Sequence, residues 1–174
     1  NWRTNLSDIG LASVPGAMTF NIAFNKLIKY DAQDFKTQAA RENKGAFSSD
    51  GGYFSYRANT NLRYTLGGAN VNLLWRYLPS IRSATYVTDP TTPIQGANSY
   101  SIFNLSAGYN FGPMVQLTGG IDNLFNKDPN IVGAGQIVTR PDGTTAVLDG
   151  VGSTNAQFYD ALGRRYYLSV KLNF

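Results

Sequence analysis

The sequence predicts an all-β chain: an antiparallel transmembrane β-barrel, with short turns on the periplasmic rim and long loops on the extracellular rim. Three observations lead there. Apolar and polar residues alternate with period two over long stretches, the pattern of strands whose successive side chains point to opposite faces. Connections alternate between tight turns and loops of twenty residues or more. Charge is scarce: of 174 residues, 15% are charged and 13% aromatic, with 17 Asn and 18 Gly, where a soluble domain carries about 25% charged residues.

Taken in order, Trp2–Val14 reads as a weak first strand, turned at Pro15-Gly16. Met18, Phe20, Ile22, Phe24, Ile28 and Tyr30 then share a face broken by Lys26, which marks either a snorkelling side chain or a bulge. From Phe54 to Leu66, Phe54, Tyr56, Ala58, Thr60, Leu62, Tyr64 and Leu66 oppose Ser55, Arg57, Asn59, Asn61, Arg63 and Thr65. Gly67-Gly68 tolerates the positive φ of a two-residue hairpin and leads into Val71, Leu73, Trp75 and Tyr77, opposite Asn70, Asn72 and Arg76. The pattern recurs in Tyr100–Phe111, where Ser101, Phe103, Leu105, Ala107, Tyr109 and Phe111 oppose Tyr100, Ile102, Asn104 and Ser106. Gly112-Pro113 then turns the chain into Met114–Phe125. In the last strand Tyr166, Leu168, Val170, Leu172 and Phe174 oppose Tyr167, Ser169, Lys171 and Asn173. The long connections fall at about 31–53, 79–99 and 126–158; in the last, Pro141-Asp142-Gly143 between Ile137, Val138, Ala146 and Val147 predicts a small hairpin.

These strands exceed the five or six residues usual in soluble sheets. At roughly 3.3 Å per residue and a tilt of about 40°, they cover a band near 25–30 Å, the height of an outer-membrane barrel's apolar belt. No stretch approaches the roughly 20 apolar residues of a spanning helix, and no basic-then-apolar leader is found. A mean hydropathy of −0.24 fits alternating strands, which average to neutral.

Without Cys or His, thiol chemistry, His–Asp relays and the usual zinc and haem ligands are excluded. Asp31, Asp34, Asp128 and Asp142 are scattered loop acids with no calcium-loop spacing. No enzyme activity and no cofactor are expected. The long loops hold six basic and eight acidic residues and the remainder nine and three, so the net +4 sits on strands and turns. Arg57, Arg63, Arg76 and Lys171 fall on polar faces, hence on a lumen wall if the apolar faces meet lipid. There they either steer anionic ligands or pair with carboxylates elsewhere in the protein. They form no cluster interleaved with aromatics, so nucleic acid is not an expected partner.

Six good strands and a poor seventh do not close a bacterial single-chain barrel, which uses even numbers from eight upward. An open sheet in lipid leaves its edge N–H and C=O groups unsatisfied. The chain is therefore part of a larger barrel, or a complete eight-stranded barrel of structural or passive pore role with one strand hidden in a loop. A soluble sandwich or lipocalin-like barrel is the remaining alternative.

The last third decides between these. Gly120-Ile121-Asp122-Asn123-Leu124-Phe125-Asn126-Lys127-Asp128-Pro129 resembles the N-L-F-(D/N)-K-x-P end of the penultimate strand in TonB-dependent outer-membrane receptors. Tyr159-Asp160-Ala161-Leu162-Gly163-Arg164-Arg165-Tyr166-Tyr167, followed by the alternating tail to Phe174, resembles the closing strand of that family, with Ser169 where many relatives have Gly. The resemblance implies a 22-stranded barrel with a plug in its lumen, of which residues 1–174 are about the last seven strands, without plug or TonB box. It implies active import of a siderophore, cobalamin, saccharide or similar ligand across the outer membrane of a Gram-negative bacterium. The implied partners are outer-membrane lipid, the rest of the receptor, TonB through the plug, and the small-molecule ligand. The tail Tyr166, Leu168, Val170, Leu172, Phe174 resembles the signal read by the barrel-assembly machinery, with alternate apolar side chains supplying specificity in strand addition. Asn123, Leu124 and Phe125 are expected to finish a strand at the outer rim, and Gly163, Arg164 and Arg165 to lead into the closing strand.

Overall fold

The computed structural model describes residues 1–174 apart from 12, 34, 38, 49–50, 85, 87–90, 92–94, 133–135, 140, 149–153 and 174, with backbone alone at 48, 136–139 and 145–148. Its strands are β1 (Trp2–Asn5), β2 (Ala17–Lys26), β3 (Asp31–Ala32), β4 (Arg41–Glu42), β5 (Ala46–Ser48), β6 (Gly51–Tyr53), β7 (Tyr56–Leu66) and β8 (Ala69–Leu78). There follow β9 (Ile81–Ser83), β10 (Gly96–Ala97), β11 (Tyr100–Phe111), β12 (Val115–Asp122), β13 (Gln136–Thr139), β14 (Thr145–Leu148) and β15 (Arg165–Leu172). Seven of them form one antiparallel sheet in the order β1-β2-β7-β8-β11-β12-β15. The sheet is open: β1 and β15 each pair on one side only among the described residues.

The register shows why the sequence alternates. Trp2, Phe20, Leu62, Leu73, Leu105, Ile121 and Tyr166 stand side by side across all seven strands. One residue along, the row is Arg3, Thr19, Arg63, Asn72, Ser106, Gly120 and Tyr167. A slip of one residue anywhere would exchange the two sets, so the alternation excludes every odd shift, and in the hairpins the tight turns fix which even register forms. Lys26 ends β2 opposite Tyr56 on the apolar side, and the β2–β7 register runs unbroken, so no bulge forms there.

Three boundaries differ from the sequence expectation. Trp2–Val14 is not one strand: β1 stops at Asn5, and a 3-10 turn at Leu6–Ile9 buries Leu6. The β1–β2 connection is therefore the whole of 6–16 rather than a turn at Pro15-Gly16, closed by Leu6 N–H donating to Gly16 O at 3.1 Å. Phe54 does not belong to the apolar face; it lies before β7 and is buried. Likewise β2 ends at Lys26, so Ile28 and Tyr30 do not extend it; Tyr30 instead stacks on Tyr53 at 4.0 Å.

The long loops fold among themselves. Strands β5 and β6 of the first loop and β9 and β10 of the second make a four-stranded sheet, β10-β9-β5-β6, joined by a parallel β5–β9 pairing. Beneath it lies the main hydrophobic cluster of Phe54, Ile81, Ala97, Tyr100, Ile102 and Tyr159. Tyr159 and the adjacent Phe158 come from the third loop, so all three loops share this core. Tyr100 and Ile102 belong to the otherwise polar face, which turns apolar where the loops cover it. Among the described residues, none of the buried hydrophobics lies on the apolar face of the large sheet. The small hairpin β13–β14 forms, and its turn is fixed by Asp142 accepting from Thr144 N–H at 2.9 Å.

Candidate functional site

Three regions hold the residues singled out in the sequence: the apolar face, the polar face, and a corner where the last two strands meet. On the apolar face, Tyr166, Leu168, Val170 and Leu172 project from the edge strand β15, all more than half exposed; Phe174 lies outside the described residues. Near the long loops this face carries a run of aromatic rings. Phe24, Tyr56, Tyr77, Trp75, Phe103 and Phe125 follow one another at centroid separations of 5.4–6.1 Å. Near the short turns, Tyr109 and Phe111 sit 4.6 Å apart. Such rings, with an apolar body and a polar tip, suit the two edges of a lipid slab. No helix among the described residues is long and apolar enough to cross a membrane, which says nothing of strands.

On the polar face the four predicted cations separate into two groups. Arg63 joins Arg3, Asn21, Asn72, Gln116 and Thr118 around a groove of about 560 Å³ toward the short turns. Lys171 stands opposite Gln116 on the same face. Arg57 and Arg76 line a second cavity, of about 220 Å³, under the long loops, together with Asn59, Tyr100, Phe54 and Phe158. Arg57 donates to Gly52 O at 3.3 Å and lies 5.2 Å over the Phe54 ring.

The corner joins the two sequence motifs. Strand β12 ends at Asp122, one residue short of Asn123, which turns to φ +53° and is 1% exposed. Its Nδ2 donates to Lys127 O at 3.0 Å, its Oδ1 accepts from Lys127 N–H at 2.7 Å, and its own N–H donates to Asn104 Oδ1 at 3.1 Å. Leu124 N–H donates to Phe103 O at 2.7 Å, prolonging the pairing with β11 by one bond, and Phe125 is exposed against Phe103. Asn126, also at positive φ, accepts from Arg164 N–H at 3.0 Å. Gly163 beside it adopts φ +73°, a conformation that a Cβ strains. Arg165 opens β15 with a bond to Asp160 at 2.8 Å and a longer contact to Asp122 at 3.8 Å. Burial raises the Asp160 carboxyl, but Arg165 and the Leu162 N–H outweigh it and hold the group below its ordinary value. Thus the residues Asn123–Lys127 and Asp160–Arg165 brace each other at the long-loop end of β12 and β15.

Over 75 residues the chain is 39% identical to the ferrienterobactin receptor of Escherichia coli (strain K12). That stretch is 43% of this chain and spans a tenth of the receptor's length. No family model and no solved structure matches.

Sequence reasoning missed three participants. Tyr100, Ile102 and Tyr159 read as ordinary members of a strand or motif, yet they are the floor of the loop core. For Tyr100 and Ile102, aromatic or branched character on a face otherwise built of Asn, Ser and Gly was the available signal; Tyr159, in the loop before β15, had none. The hydroxyl of Tyr100 faces the Asp160 backbone and that of Tyr159 the Asn130 side chain, while the Oδ2 of Asp160 is buried without a hydrogen-bond partner among the described residues.

Proposed function

We infer that residues 1–174 are wall and extracellular loops of a TonB-dependent outer-membrane receptor that imports a small ligand. One observation carries the reading. The sheet leaves its apolar face bare and keeps its core on the other side, the reverse of a soluble sheet, which buries its apolar face. The partial identity to a ferrienterobactin receptor and the two mutually bracing motifs support the same family. Among the described residues both edges of the seven-stranded sheet are open, as they would be in a segment completed by other strands of a larger barrel.

In this reading the aromatic rows sit at the two membrane interfaces and the Asn- and Arg-rich face lines the lumen. The wall segment performs no catalysis and holds no cofactor. Ligand meets the loop cap, the plug occupies the lumen, and TonB acts on the plug. The β15 tail is recognised by the assembly machinery through its exposed edge and alternating side chains, and afterwards pairs with the receptor's first strand. The ligand belongs to the siderophore, cobalamin or saccharide class.

The test is fractionation of the protein expressed with its natural flanking sequence. Recovery in an outer-membrane pellet that resists urea and alkaline carbonate, with heat-modifiable gel mobility, is expected. Recovery in the detergent-free soluble fraction would remove the reading.

A further inference from the structure

We propose that the cavity between Arg57, Arg76, Tyr100 and Phe158 seats the anionic end of a small ligand carrying a flat apolar body, an aromatic carboxylate being the simplest example. This rests on the importer reading and names a ligand chemistry for one place in it. Arg76 stands opposite Asn59 on neighbouring strands, and Arg57 lies two residues further along that same face. Both arginines line this one cavity, and like charges at diagonal positions of neighbouring strands repel. Neither has a carboxylate within 4 Å among the described residues. Asp160, whose field reaches Arg76, has its Oδ1 engaged by Arg165 at 2.8 Å. An incoming anion relieves the repulsion, and a guanidinium fork matches a carboxylate in two parallel bonds.

The rest of the cavity suits the neutral part of such a ligand. Arg57 is already held by Gly52 O and the Phe54 ring, so little freedom is lost when it binds. Phe54 and Phe158 meet edge to face at 5.4 Å and supply an aromatic wall. Tyr100, 2% exposed, adds its ring to the lining of the cavity. The amides of Asn59 and Gln157 complete the polar rim. At about 220 Å³ the space is smaller than the roughly 300–1,000 Å³ of pockets that enclose whole ligands, so it receives one group of a larger molecule.

The experiment uses the full-length protein in zwitterionic micelles and the fluorine NMR line width of 4-fluorobenzoate, with 4-fluorobenzamide as neutral isostere. The wild-type protein should broaden the benzoate saturably and bind the amide roughly tenfold more weakly, the loss of one charge-assisted bond. Arg76→Gln and Arg57→Gln should each weaken benzoate about tenfold and leave the amide unchanged, while Arg63→Gln changes neither. Arg76→Lys, which keeps the charge without the fork, should fall between wild type and Arg76→Gln, and serves if the glutamine variant does not fold. Equal binding of the two probes, an Arg63→Gln effect as large as that of Arg76→Gln, or no saturable broadening by the wild type would each overturn the proposal. The last result is expected if a carboxylate of the protein itself fills the space. A membrane-embedded protein that fails the probe removes this seat alone; a soluble protein that passes it removes only the importer.

Discussion

Asn123 and Lys127 are joined by a reciprocal pair of hydrogen bonds, Nδ2 to the Lys127 carbonyl at 3.0 Å and Lys127 N–H to Oδ1 at 2.7 Å. The side chain acts as a second strand's worth of backbone, closing a turn that begins at φ +53°. Asn is one of the few residues that tolerates this conformation and offers both a donor and an acceptor. Replacing Asn123 with Ala should cost about 2–4 kcal/mol, from two buried hydrogen bonds and the backbone strain. Asn123→Gly removes the strain and should cost less. Urea unfolding of the micelle-bound protein gives the order; a glycine variant weaker than the alanine variant would contradict this account.

The Asp160–Arg165 bond makes a pH prediction. Asp160 is held below its ordinary value near 3.8 in the folded protein. Its contribution to stability is therefore complete well above 3.8 and is lost as pH falls through the lower folded value. Stability of the wild type should drop on acidification below about pH 5, and more steeply than that of Asp160→Asn, which is weaker at neutral pH but lacks this titration. Parallel acid limbs for the two proteins would exclude Asp160 as a contributor.

Gly120 stands opposite Tyr167 on the polar face, and a Cβ at Gly120 would collide with the Tyr167 ring. The ring covers the bare glycine backbone, a pairing found between strand glycines and aromatics. Gly120→Ala should destabilise by about 1–3 kcal/mol, the usual cost of overpacking. In a Tyr167→Ala background the same change should be almost neutral. A double-mutant cycle measures the coupling, and additive effects would show that the ring moves aside freely.

Leu73 and Asn72 are neighbours on opposite faces of β8, in the central rows of the sheet. If the apolar face meets hydrocarbon, Leu73→Arg should cost about 2–4 kcal/mol in a bilayer, whereas Asn72→Arg should cost little. Folding titrations in phospholipid vesicles distinguish them. Equal costs would place both faces in the same environment and refute the lipid-facing assignment.

The alternation determined the faces of the large sheet. With period two kept through Tyr56–Leu66, Ala69–Leu78 and Tyr100–Phe111, Leu62, Leu73 and Leu105 fall on one side and Arg63, Asn72 and Ser106 on the other in every register of the right parity. The turns at Gly67-Gly68 and Gly112-Pro113 were equally legible, because their chemistry is local. What only the tertiary structure decided is non-local or too short to have a period. The segments Ala46–Ser48 and Ile81–Ser83 carry no pattern by themselves and become strands because they pair in parallel across two loops. Phe54 leaves the apolar face, and Tyr100 and Ile102 are buried on the polar one, because the loop core closes over that end of the sheet. The bracing of Asn126 against Arg164 spans 38 residues, and no local signal in either motif points to the other. A strand's face is set by its own residues; what covers that face is set by chain that arrives from elsewhere.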